Sequence, residues 1–182
     1  MRVQNWLIFQ RISLFLYLSA GVLLLIYALG FISNVYIFYA YGSKGLVDFY
    51  HEMQVVNDDL LLKAILVIIF SLVLFLLRLG SYPAGIITLI ISVIIFGLSV
   101  WFCAGSFITL TEAKESYLNL DLSSLNRYIQ RGTISYNHSS LTFDMGLGGY
   151  LFFMLSSVFM LIIVTCNAFT VRITKDEEGE NK

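Results

Sequence analysis

Charge is what this chain has least of. Asp, Glu, Lys and Arg make up 13% of its 182 residues, against about 25% in a soluble globular domain. The shortage is concentrated. Ile12 to Ser43, Ala64 to Leu77, Leu79 to Thr111 and Met145 to Val171 hold no charged residue at all. A helix needs roughly 20 apolar residues to cross about 30 Å of hydrocarbon, and each run is long enough, the second once extended back to about Leu60. A soluble domain is excluded. Strands of a membrane barrel alternate at period 2, whereas Val22-Leu23-Leu24-Leu25-Ile26 and Ala64 to Phe70 are unbroken apolar runs, so helices must satisfy the backbone. The expectation is an all-α membrane protein with four transmembrane helices. Net charge is −1, which gives no purchase on nucleic acid or anionic lipid.

Cysteine is nearly absent. Cys103 falls near the outer end of the third span and Cys166 near the inner end of the fourth, roughly 20 Å or more apart along the helices, beyond disulfide reach. There is no Cys-x-x-Cys for thiol redox chemistry. The loops carry no cysteine, which excludes the loop disulfides of claudin-like and tetraspanin-like proteins. Both cysteines read as packing residues.

Histidine is as scarce. His51-Glu52 begins like a zinc-binding His-Glu-x-x-His, but Val55 stands where the second histidine would be. Asp58 and Asp59 read as a solvated acidic cap at the start of the second helix, and His138 as a turn residue. No ionisable residue lies at the centre of a span. Lys63 and Arg78 bracket helix 2 near its ends, where they can snorkel. Ion-coupled transport needs charge inside the membrane, and intramembrane hydrolysis needs a buried nucleophile–base or metal set. Enzyme is therefore the least favoured class, and no catalytic residue, metal or cofactor is assigned.

What remains is a single four-helix domain over residues 1–182, with spans at about 12–36, 60–79, 84–108 and 147–171. The first apolar run follows Arg2 and Arg11 but is too long for a signal h-region and lacks a cleavage pattern, so it reads as an uncleaved anchor. Arg2, Arg11, Arg78, Arg172, Lys175 and Lys182 cluster on short segments, which places both termini in the cytoplasm. The tail, residues 172–182, is expected to be disordered from Lys175 on. Pro83, the one proline, fits the first turn of helix 3 after a tight connection from helix 2.

The two outer loops, 37–59 and 109–146, are the only soluble segments of any size. Tyr36, Phe38, Tyr39 and Tyr41 form an interfacial aromatic belt, and Gly42-Ser43-Lys44-Gly45 reads as a turn. Leu46, Phe49, Tyr50, Met53 and Val56, with Asn57, repeat at helical spacing, as in an amphipathic helix that lies on the membrane or leads into helix 2. In the second loop Tyr117, Leu118, Leu122, Leu125, Tyr128 and Ile129 share one helical face, which should pack as a lid against Phe49 and Tyr50 or bind a partner. Thr133 to Tyr136 and Ser139 to Phe143 alternate as two short strands around Asn137-His138. Asn137-His138-Ser139 is also a glycosylation sequon, relevant only in a eukaryotic secretory pathway. The apolar composition and short loops fit a bacterial inner membrane better.

The most suggestive pattern is on helix 3, where Gly85, Thr88, Ser92, Ser99, Cys103 and Ser106 line one face opposite Ile87, Ile90 and Ile94. Helix 4 adds Gly149, Ser156 and Asn167, and helix 1 adds Tyr17, Ala20, Tyr27 and Asn34. Small and hydroxyl residues let membrane helices approach closely and hydrogen-bond. The expected function is an accessory or assembly subunit of an envelope complex, in contact with the lipid bilayer and with another membrane protein or a second copy. The alternative is a small transporter or lipophilic-ligand binder with a cavity against helix 3, in which Ser92 and Ser99 face a void.

Overall fold

The computed structural model describes residues 3–77, 85–123, 125 and 139–180, with side chains between 6 and 170 within those ranges. Four helices account for nearly all of them: α1 (Val3–Tyr41), α2 (Lys44–Leu76), α3 (Ile86–Leu118) and α4 (Leu141–Glu180). All four are long and apolar enough to cross a membrane. No strand occurs among the described residues.

The helices outrun the bilayer. The shortest two have 33 residues, about 50 Å at 1.5 Å per residue, against roughly 30 Å of hydrocarbon. The surplus lies largely at the end that holds the α1–α2 turn, here called the turn end. The opposite end holds both termini.

Several expected boundaries shift accordingly. Of the two alternatives for residues 46–57, the helix leads into helix 2: the segment forms the first turns of α2, with Leu46, Phe49, Tyr50, Met53 and Asn57 buried. Asp58 and Asp59 therefore sit in mid-helix and cap nothing. Leu141 to Phe143 form the first turn of α4 rather than a strand. The expected lid helix is interrupted rather than continuous: Tyr117 and Leu118 end α3, the chain leaves the helix at Asn119, whose N–H bonds back to Glu115 and Ser116, and Ser123 and Leu125 are helical again, with Leu125 buried. α4 continues as helix to Glu180, where a disordered tail was expected from Lys175. Pro83, the segment 126–138 with its first predicted strand, and the Asn137 sequon lie outside the described residues.

Only Gly42 and Ser43 separate α1 from α2. The Gly42 N–H bonds to the Phe38 carbonyl at 3.0 Å. A Cβ on Gly42 would overlap that carbonyl and reach 2.6 Å from the Leu46 side chain. Ser43 is extended (φ −71°, ψ 173°), and its carbonyl accepts from Leu46 and Val47 N–H at 3.0 Å each. The chain thus reverses within two residues, and glycine is what permits it.

α1 packs closely on α2 and α4, and α4 on α3, while α2 and α3 touch least. That seam is spanned by stacked Phe70 and Phe102, 6.3 Å between centroids. The outward face of α3 is apolar and open, with Ile87, Ile90, Ile94 and Trp101 exposed, as suits contact with lipid.

Candidate functional site

The interior is layered from the terminal end to the turn end. At the terminal end Asn167 of α4 donates its amide to Gln10 of α1; both side chains are buried. Gln10 escaped the sequence reading because it precedes the apolar run and looked like part of a polar flank.

In the middle layer Tyr17 of α1 meets the helix 3 stripe. Its hydroxyl lies 2.7 Å from Ser99 Oγ, and Ser99 also donates to the Ile95 carbonyl at 2.8 Å. Phe96 meets the Tyr17 ring edge-on at 5.3 Å, and Phe153 of α4 lies 5.1 Å away. Three helices thus converge on one phenol. Ser99 faces a neighbouring helix here, not a void.

The rest of the stripe divides. Ser92, Cys103 and Ser106 are buried with Ser99, whereas Gly85 is exposed and Thr88 half-buried, so the stripe emerges at its first turn. Ser92 is buried with no hydrogen-bond partner for its hydroxyl, whereas Ser106 is buried beside Tyr150. On α4, Ser156 bonds to its own helix through the Phe152 carbonyl at 2.8 Å. A hydroxyl that bonds back into its own helix links no second one.

Towards the turn end, polar groups from all four helices gather. A Cβ on Gly146 of α4 would overlap the Tyr27 hydroxyl of α1, so the glycine is what admits that ring. Tyr150 lies beside Ser106 and within electrostatic reach of Cys103 and Asp59. The Tyr27, Tyr150 and Ser106 hydroxyls and the Asn57 carbonyl oxygen are buried without hydrogen bonds of normal geometry. Lys63 pairs with Asp59 at 2.5 Å and is four-fifths buried, its ammonium 3.8 Å from where a Gly105 Cβ would stand. Lys63 thus turns into the α2–α3 seam while keeping its partner on its own helix. It was expected to snorkel.

Beyond this level the core becomes aromatic. Tyr117 touches Phe38, Phe49 and Phe143 with centroids 6.1, 6.3 and 5.2 Å away, and Phe31 meets Phe143 edge-on at 5.7 Å. Of the residues expected to make outer-loop contacts, Phe49, Tyr50 and Leu125 are buried, Leu122 is half-buried and Leu118 is exposed. Lys114 and Asp144 join α3 to α4 at 2.5 Å. A cleft of about 260 Å³ lies between Asn34, Val35 and Phe38 of α1, Tyr117, and the first turn of α4. Asp121 accepts the Ser123 N–H at 2.9 Å and its hydroxyl at 3.1 Å, which holds its carboxyl below the usual carboxylate range.

His51 is exposed and its Nδ1–H donates to Gln54 Oε1 at 2.8 Å. Among the described residues no three His, Cys, Asp or Glu side chains come together as metal ligands would, and both cysteines are free thiols. No family model, curated protein or solved structure matches the chain.

Proposed function

We propose that this multi-pass membrane protein is a non-catalytic accessory or assembly subunit that engages another membrane protein, or a second copy of itself, in a cell envelope. The observation that carries this reading is the Tyr17–Ser99 contact: at Ser99 the polar stripe of helix 3 holds the bundle together instead of lining a void. The extra turns of α2 and α3 at the turn end support it, since they extend past the uncharged part of each span to where a partner can reach them. The distribution of cations argues for cytoplasmic termini, which puts that head outside, and the composition argues for a bacterial inner membrane.

Ser99→Phe separates this role from ligand binding. In an assembly subunit the extra ring has no room beside Tyr17 and Phe96, and the apparent Tm in mild detergent falls by several degrees. A variant of unchanged stability would remove the packing argument and favour a cavity. The second reading, a transporter or lipophilic-ligand binder, draws on the unpartnered buried hydroxyl of Ser92. For the subunit role itself, light scattering of the purified protein in mild detergent should give a stoichiometric complex or dimer. A monodisperse monomer at native expression level would count against it.

A further inference from the structure

The cleft at the turn end is a space that internal packing leaves open. It measures about 260 Å³ and lies between α1, the end of α3 and the first turn of α4. Its walls are apolar: Val35, Phe38, Tyr117 and Phe143 line it and are themselves buried. The three rings brace one another, with the Tyr117 centroid 6.1 Å from Phe38 and 5.2 Å from Phe143. The walls are therefore set by the bundle and precede any occupant. Asn34 and Thr142 bring an amide and a hydroxyl to the lining. Neither side chain hydrogen-bonds to another described residue, and Asn34 is exposed while Thr142 is half-buried, so both polar groups stand at the mouth.

Volume, charge and depth together define what fits. A cavity of about 150 Å³ takes up benzene, whereas sites for drug-sized ligands run to roughly 300–1,000 Å³. The cleft falls between, at the size of one substituted ring or a fused pair. No charged side chain lines it, so an ionised ligand would leave water without a counter-charge. Depth follows from the Lys114–Asp144 pair. Lys114 lies one turn before Tyr117 on α3, and Asp144 adjoins Phe143 on α4. Partly exposed charges of this kind stay at the edge of the hydrocarbon, which puts the cleft at headgroup level. Acyl chains lie deeper, and a headgroup phosphate would meet no cation in the lining.

We propose that this cleft binds an uncharged aromatic molecule of one or two fused rings that bears a hydrogen-bonding group. The ring exchanges water for contact with Phe38, Tyr117 and Phe143, and its polar group meets Asn34 and Thr142 at the mouth. An amide and a hydroxyl can each donate and accept, so an indole N–H, a phenol or a quinone carbonyl is admissible. The site uses neither the helix 3 stripe nor a partner subunit, and it stands or falls apart from the assembly role.

Fluorine NMR of 5-fluoroindole with the full chain in dodecyl maltoside tests this. The ligand resonance should shift saturably with protein, beyond the effect of empty micelles. Asn34→Phe, at an exposed position, sets a ring in the mouth and should abolish the shift without lowering the Tm. Thr142→Val keeps the side-chain shape and should weaken binding roughly threefold to tenfold. 1-Fluoronaphthalene, a fused pair with no hydrogen-bonding group, should bind more weakly by a similar factor, and 5-fluoroindole-3-acetate should not bind. No saturable shift, or one that Asn34→Phe leaves intact, would overturn the proposal. Equal affinity for the carboxylate or for 1-fluoronaphthalene would also overturn it, since charge or the polar mouth would then play no part in selection.

Discussion

The Tyr17 layer and the Phe38 layer both bury aromatic side chains, but different solvents put them together. Tyr17, Ser99, Phe96 and Phe153 lie in the middle of the spans. Lipid tails there are as apolar as the helices, so burial contributes little and association relies on fit and interhelical hydrogen bonds. Phe38, Phe49, Tyr117 and Phe143 lie at the turn end, where the apolar run of α1 closes and lipid tails give way to headgroups and water, so the hydrophobic effect contributes more there. Polar contacts therefore hold the middle together and apolar contacts hold the head.

Phe38→Ala should have the largest effect. Phe38 is almost fully buried, and a buried Phe→Ala change in an aqueous core costs about 3–5 kcal/mol. The head should loosen while the spans stay inserted: amide exchange should quicken around Lys44–Met53 and leave the middle of α3 protected. Uniform quickening would erase the distinction between the two layers. Tyr17→Phe removes one hydroxyl and no ring, so it should cost about 0.6 kcal/mol, the average for interhelical hydrogen bonds in membranes, and no more than about 1.7 kcal/mol. Thermal unfolding in detergent measures it, and a loss of 3 kcal/mol or more would make that hydrogen bond a dominant element. The smallest effect is expected from Lys114→Gln. Its pair with Asp144 is partly exposed, and such pairs contribute roughly 0.2–1 kcal/mol. A Tm unchanged within a degree or two and insensitive to salt is the expected outcome; a large drop would make this ion pair, rather than aromatic burial, the tie between α3 and α4.

The polar residues of the candidate site were legible only as a list. Ser92, Ser99, Cys103 and Ser106 share a face because 3.6 residues make a turn, which any reader of the sequence can compute. That Ser99 meets Tyr17, that Gly146 admits Tyr27, and that Lys63 turns towards Gly105 all depend on how each helix is rotated against its neighbour. The second strand failed for a related reason. Leu141 to Phe143 alternate like a strand, but the fourth span runs on from them, and Phe143 is buried against Phe31 and Tyr117 as the helix begins.

The sequence by itself determined that four helices cross a membrane, because hydropathy is local and the bilayer supplies a ruler of known thickness. It also marked a turn at Gly42 to Gly45, though not that this turn joins the first two helices directly, and kept the two cysteines apart. Tertiary structure alone decided how far each helix continues past the hydrocarbon, which of its polar groups find partners, and which rings face one another at the headgroup level. Those are contacts between residues distant in the chain, here 82 positions from Tyr17 to Ser99 and 157 from Gln10 to Asn167, and no local pattern encodes the angle at which two helices meet.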